Sequence, residues 1–222
     1  MKKTYTLFSS LILAFVMFTP ARAAEVSGHV RVTGHSGSAG ATMVVYAELV
    51  EGKTPVHPVH RKLAQKNKTF VPAFLAIPAG STVDFPNEDP IFHNIFSLSR
   101  PEPFDLGLYR AGASKSRVFS QPAGYRVFCN IHPQMTAVIL VVPTSWITEA
   151  DSSGAYRLDL PPGHYRLTAW SERSQAATTE ITLTSTGATA DLSLDESGYV
   201  EAQHKNKYGQ DYSKSAYDQM KH

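Results

Sequence analysis

Three proline-led turns punctuate the chain: Pro78-Ala79-Gly80, Pro122-Ala123-Gly124 and Pro161-Pro162-Gly163. In each, proline presets φ and a following residue tolerates positive φ, so the chain reverses direction within a few residues. The segments between such turns are short runs of β-branched and aromatic residues, and extended helical periodicity is hard to find beyond the amino terminus. The pattern predicts strands over Val26-Val32, Met43-Leu49, Phe74-Ile77, Thr82-Phe85, Asn94-Ser97 and Arg117-Ser120. Further strands are expected over Tyr125-Cys129, Thr136-Val142, Ala155-Leu160, Tyr165-Trp170 and Glu180-Leu183. The fold class is therefore all-β. In Tyr125-Arg126 and Tyr165-Arg166, the aromatic ring is expected to point inward and the cation outward, as strand alternation requires.

The amino terminus has a different grammar. Lys2 and Lys3 precede an apolar stretch from Leu7 to Phe18, and Ala21-Arg22-Ala23 has the small-x-small form of a signal-peptidase site. Residues 1–23 are read as a cleaved secretory signal, with the mature chain starting at Ala24 or Glu25. The apolar stretch is too short to span a bilayer, and no later segment approaches the roughly 20 apolar residues a membrane helix needs. A soluble, periplasmic protein without a membrane span is expected. Loss of Lys2, Lys3 and Arg22 leaves 18 of the 21 basic residues against 19 acidic ones, a balance of −1. Nothing in that charge favours nucleic acid or an anionic membrane surface.

Two regions follow different rules. Residues 54–143 contain most of the residues suited to metal chemistry. Residues 144–196 contain Asp151-Ser152-Ser153-Gly154-Ala155-Tyr156-Arg157-Leu158, then Leu160-Pro161-Pro162-Gly163-His164-Tyr165-Arg166-Leu167. This stretch resembles the carboxypeptidase regulatory-like, or transthyretin-like, β-sandwich domains, in which an acidic-Gly turn leads to a strand and then to Leu-Pro-x-Gly-x-Tyr. The opening strands of such a domain have their counterparts in Gly28-His29-Val30 and Ala41-Thr42-Met43-Val44-Val45, upstream of the intervening region. The resemblance implies a discontinuous sandwich of residues 24–53 and 144–196, interrupted by residues 54–143. The segment 197–222 is polar and lacks an apolar stripe, so a flexible tail is expected.

Cys129 is the only cysteine in the chain. In an oxidising compartment an unpaired thiol needs burial, a partner or a metal. Its surroundings, Phe128-Cys129-Asn130-Ile131-His132-Pro133-Gln134-Met135, place an imidazole three residues on and a thioether three beyond that, and His93 lies upstream. One thiolate, two imidazoles and one thioether form the ligand set of a mononuclear blue-copper centre. A strand ending at Cys129 and a strand from Thr136 would hold three of these on one tight loop, with His93 supplied by another strand. Zinc also takes Cys and His but would normally have a fourth strong donor, which methionine is not. Glu88 or His60 in that position would make a less typical copper site. A Cys129-His132 nucleophile pair suits convergence on a metal better than proton transfer. No Gly-x-Ser-x-Gly elbow or phosphate-binding glycine loop is present, so an electron carrier is expected rather than an enzyme. The remaining histidines, His204 among them, sit among polar residues and are expected to be exposed.

Upstream of His93 the chain reads Gly80-Ser81-Thr82-Val83-Asp84-Phe85-Pro86-Asn87-Glu88-Asp89, and Phe70-Val71-Pro72 lies before it. Together with Cys129-x-x-His132-x-x-Met135, these motifs resemble the cupredoxins of the plastocyanin/amicyanin kind over roughly residues 54–142. The resemblance implies a Greek-key β-sandwich holding one type-1 copper at one end, with His93, His132 and Cys129 as equatorial ligands and Met135 as the axial one. By the same resemblance Asn94 would tie the ligand loops and offer a backbone donor to the sulfur, while Pro133, having no N–H, would leave the thiolate more electron-rich. The usual electron port would be an exposed edge of His132 in a patch of Ile131, Pro133 and Met135. The implied function is single-electron transfer between a redox donor and an acceptor. The alternatives are copper binding for delivery and a non-redox envelope binding module.

Overall fold

The computed structural model describes residues 23–34, 41–200 and 204–212. All regular elements among these residues are strands, and none is a helix long and apolar enough to cross a membrane. The expected signal peptide, apart from Ala23, lies outside the described residues. In chain order the strands are β1 Ala24–Thr33, β2 Val44–Leu49, β3 His60–Lys62, β4 Ala64–Lys66, β5 Thr69–Val71 and β6 Phe74–Pro78. Next come β7 Ser81–Pro86, β8 His93–Ser97, β9 Phe104–Tyr109, β10 Ser114–Phe119, β11 Ala123–Phe128 and β12 Thr136–Val142. The last are β13 Ile147–Glu149, β14 Ala155–Leu160, β15 Gly163–Trp170, β16 Ala177–Leu183, β17 Ala188–Thr189 and β18 Leu192–Asp195.

The chain is all-β, with a β-sandwich built from β3 to β12. One of its sheets runs β6-β12-β11-β8-β9, the other β10-β7-β3, and β4-β5 forms a hairpin alongside. Their inner faces share a core that includes Leu63, Ile77, Val83, Phe85, Ile95, Phe119, Tyr125 and Ile139. Strand β7 shows how the sequence dictates this. Its residues alternate between buried and half-buried, with Val83 and Phe85 inward, as the two-residue period of a strand demands.

The other strands form a second pair of sheets, β14-β1-β17 with β18 also on β1, and β13-β2-β15-β16. Among the described residues these strands pair only with one another, although β2 and β13 are separated in sequence by all of β3 to β12. They enclose another core, in which Val26, Val45, Ala47, Leu158, Leu160, Tyr165, Leu167 and Leu194 meet. The chain leaves and returns at neighbouring points, where the Ser145 N–H donates to Pro55 O at 3.0 Å and the His57 N–H to Ser145 Oγ at 2.6 Å.

Strand β12 carries the contact between the two pairs of sheets. Ala137, Ile139 and Val141 face the first core, whereas Leu140 and Val142 meet Val44, Phe74, Ile147 and Trp170 on the opposite side. A strand buried on both faces must be apolar at every position, which accounts for the unbroken run Ala137 to Val142.

Every expected strand is present, and the differences are instructive. Of the three proline-led turns only the first uses positive φ, at Gly80 (83°). Gly124 serves close approach instead, because a Cβ there would lie 3.0 Å from Trp170 Cζ2. Strand β3 was hidden from pattern reading because all three of its residues are exposed. In β9 the alternation is broken by Gly107, at φ 71°, and the pairing with β8 has an irregular register.

Candidate metal centre

His93 opens β8, Cys129 follows the last residue of β11, and Met135 precedes β12. Between them the loop folds tightly: the Met135 N–H donates to His132 O at 3.0 Å, and the Cys129 N–H donates to Met135 O at 3.2 Å. These two bonds bring His132 back over the end of β11. The side-chain nitrogens His93 Nδ1 and His132 Nδ1 stand 3.0 Å apart, and Cys129 Sγ lies 3.8 and 3.6 Å from them. No more than 2 % of His93, Cys129 or His132 is exposed. They are the only group of three or more His, Cys, Asp or Glu side chains among the described residues whose ligand atoms all lie within 4.8 Å of one another.

Met135 is fully buried and belongs to the same core cluster as Cys129. Glu88 and His60 are engaged elsewhere. Glu88 pairs with Lys62 at 2.6 Å and Lys66 at 3.8 Å, and His60 pairs with Asp84 at 2.8 Å.

The far nitrogen of His93 is anchored, since Nε2 lies 2.8 Å from Asp89 Oδ2. A carboxylate accepts, so the imidazole proton is held on Nε2 and the Nδ1 lone pair is left facing Cys129 and His132. Asp89 is itself fixed by the N–H groups of Asn67 and Lys68, at 2.6 and 2.8 Å. Burial alone would raise its carboxyl pKa, but the bonds from Lys68, His93 and Asn67 outweigh it and hold the group below its ordinary value. Both donors come from the β4–β5 turn, where Asn67 and Lys68 each have φ of 54°. Positive φ at both central residues is the hairpin geometry that matches strand twist.

The electrostatics favour an uncharged His132 and Cys129. Burial, then the proximity of His93 and Lys68, lowers His132 to about 4, so its imidazole is neutral at physiological pH. Burial pushes the Cys129 thiol up, while backbone N–H groups of Asn94, Ile131 and His132 pull it the other way by stabilising the thiolate. The thiol thus stays protonated until a metal displaces its proton. Asn94 reaches β9 with its side chain, donating from Nδ2 to Asp105 Oδ1 at 2.7 Å.

Two expectations need correction. His132 presents no exposed edge, being 2 % exposed, and Met135 lies in the core, so of the expected patch only Ile131 and Pro133 approach solvent. The carboxy-terminal segment is not a solvated tail over residues 204–212. His204 Nε2 donates to Pro133 O, the Lys207 N–H donates to Asn130 Oδ1, and Tyr212 OH donates to Cys129 O. Residues 201–203 and 213–222 lie outside the described residues. Sequence reading assigned no role to Asp89, although the quoted motif contains it four residues before His93. Asp105, His204, Lys207 and Tyr212 carry no local signal at all.

No protein-family model matches the chain, and no curated protein matches it. Among solved structures, similarity extends to a copper-containing nitrite reductase from Thermus scotoductus SA-01, 28 % identical with a TM-score of 0.37. That match covers 42 % of this chain and 25 % of the reductase. A purple cupredoxin from Nitrosopumilus maritimus is 23 % identical with a TM-score of 0.34, covering 37 % of this chain and 99 % of that one. An amicyanin variant in its reduced form is 18 % identical with a TM-score of 0.35, covering 36 % of this chain and 80 % of that one.

Proposed function

We propose that this chain is an exported, periplasmic type-1 copper protein that passes single electrons between a redox donor and an acceptor. His93, His132, Cys129 and Met135 would hold the metal. The observation that carries this reading is the buried convergence of His93 Nδ1, His132 Nδ1 and Cys129 Sγ, with the His93 proton held away from the site by Asp89. One thiol and two imidazoles, with Met135 buried in the same core as the thiol, is a donor set that suits copper. Copper, when bound, supplies a one-electron couple. The residues do the rest. Cys129 loses its proton on binding and becomes the soft thiolate donor, stabilised by the surrounding backbone N–H groups. Asp89 and the Asn67-Lys68 turn keep the His93 ring oriented, and the Cys129-Met135 backbone bond keeps the loop closed. Burial of these side chains keeps water away from the site.

Within this proposal the sandwich of residues 24–53 and 144–196 is a regulatory-like module interrupted by the metal unit of residues 54–143. It serves as a spacer or docking element. The burial of His132 favours a second reading, copper holding or delivery without rapid electron exchange.

Copper-loaded protein is expected to show an intense visible thiolate-to-copper band that Cys129→Ser abolishes; a colourless loaded protein would refute the type-1 reading. Reversible one-electron voltammetry supports the carrier, whereas slow, irreversible redox with ready copper release supports delivery.

A further inference from the structure

The segment 204–212 touches the loop at both ends and in the middle. The His204 ring stacks on Phe128, with centroids 4.3 Å apart and planes at 25°, and its Nε2 donates to Pro133 O at 2.5 Å. Tyr212 meets the His204 ring edge-on at 5.2 Å and donates its hydroxyl proton to Cys129 O at 2.9 Å. Between them, the Lys207 N–H donates to Asn130 Oδ1 at 2.9 Å. The Lys207 ammonium donates to Asp105 Oδ2 at 2.6 Å, and the other oxygen of Asp105 holds the side chain of Asn94. One segment therefore grips the carbonyls of Cys129 and Pro133, the side chain of Asn130, and, through Asp105, the residue following His93.

Inside the loop itself, the backbone bonds that define its shape are those from Met135 to His132 and from Cys129 to Met135. The carbonyls of Cys129 and Pro133 flank His132 on either side, so fixing both limits the rotations that would swing its ring away from Cys129. The contacts also cover the loop where an exposed imidazole edge was expected.

We propose that residues 204–212 are the outer wall of the metal centre, with His204 and Tyr212 as positioning residues for the Cys129–Met135 loop. This rests on the metal-site reading above, but its test does not. In the metal-free full-length chain, the Cys129 thiol is shielded by the loop and the wall, so its reaction with a small disulfide reagent reports how often the loop opens. The double variant His204→Leu, Tyr212→Phe keeps apolar bulk while removing both donors to the loop carbonyls. Its Cys129 is expected to react at least tenfold faster, with faster hydrogen exchange at the amides of Ile131 and His132 and unchanged exchange in β15. Restoring a side-chain N–H with Gln at position 204 should recover a large part of the protection, which a purely space-filling role would not require. Reactivity and loop exchange within twofold of the parent would overturn the proposal, as would equal protection by Leu and Gln at position 204. Copper loading is read separately. A parent protein without the visible band sinks the type-1 reading and leaves the thiol measurement decisive for the wall.

Discussion

Asp89 shows how one side chain can orient a candidate metal ligand. It takes three hydrogen bonds, from His93 Nε2 and the N–H groups of Asn67 and Lys68, and it is 6 % exposed. Replacing it with Asn puts an N–H where one of those donors now points. Copper affinity is expected to fall about 10–100-fold, the usual effect of losing a group that orients a ligand. Competition against a chelator of known affinity measures this, and unchanged affinity would remove Asp89 from the site. Lys68 makes the opposite case. A non-glycine residue in the left-handed region costs about 1–2 kcal/mol, so Lys68→Gly should raise stability by about 1 kcal/mol in chemical denaturation. A loss of stability would mean that the lysine side chain contributes more than its backbone costs. Residue-scale legibility follows chain distance. Cys129, His132 and Met135 are readable because one strand-loop-strand unit carries all three, and the motif before His93 marks that residue. Tyr212 and His204 reach the same loop from more than 70 residues away, and no local spacing encodes such a meeting.

At the scale of elements, the turn before β14 depends on Asp151. Its carboxylate accepts from Ser153 N–H, Ser153 OH and Ala155 N–H, and those bonds lower its pKa below the ordinary 3.8. A group with a depressed folded-state pKa contributes stability that is fully present above its unfolded value and is lost as pH falls through the folded one. Asp151→Asn is therefore expected to flatten the acid limb of the stability profile below about pH 4; an identical limb in both proteins would show that the turn does not depend on the charge. In β1, Gly28 lies so close to the residue following β17 that a Cβ would stand 1.8 Å from Ala190 O. Gly28→Ala should cost about 3 kcal/mol in denaturant unfolding, at the upper end for overpacking, since a backbone atom has to move. Strand existence was legible in most of the longer elements, where two-residue alternation or a double-faced apolar run survived, although β18 alternates over its four residues and was not expected. It was not legible in β3, β4 and β5, whose three-residue lengths hold too few positions to display a period.

Across the whole molecule, the contact through β12 has a measurable signature. Both tryptophans, Trp146 and Trp170, pack with the sheets of β1, β2 and β13 to β18 or at the junction, while Cys129 lies in the other core. Tryptophan fluorescence and thiol exposure thus report different cores. Because Leu140, Val142 and Val44 are buried between them, the two probes are expected to give coincident unfolding midpoints. Leu140→Ala should lower that common midpoint by about 2–4 kcal/mol of stability. Midpoints that already separate in the parent would show two independently stable bodies.

The bond between Ser145 N–H and Pro55 O has a consequence for inheritance. It sets the two ends of a span of roughly 90 residues side by side, and a closed loop of that size adds only a slowly growing entropic burden to its host. A gene encoding the outer sheets could acquire, exchange or lose the whole span at this doorway without redrawing a single strand pairing outside it.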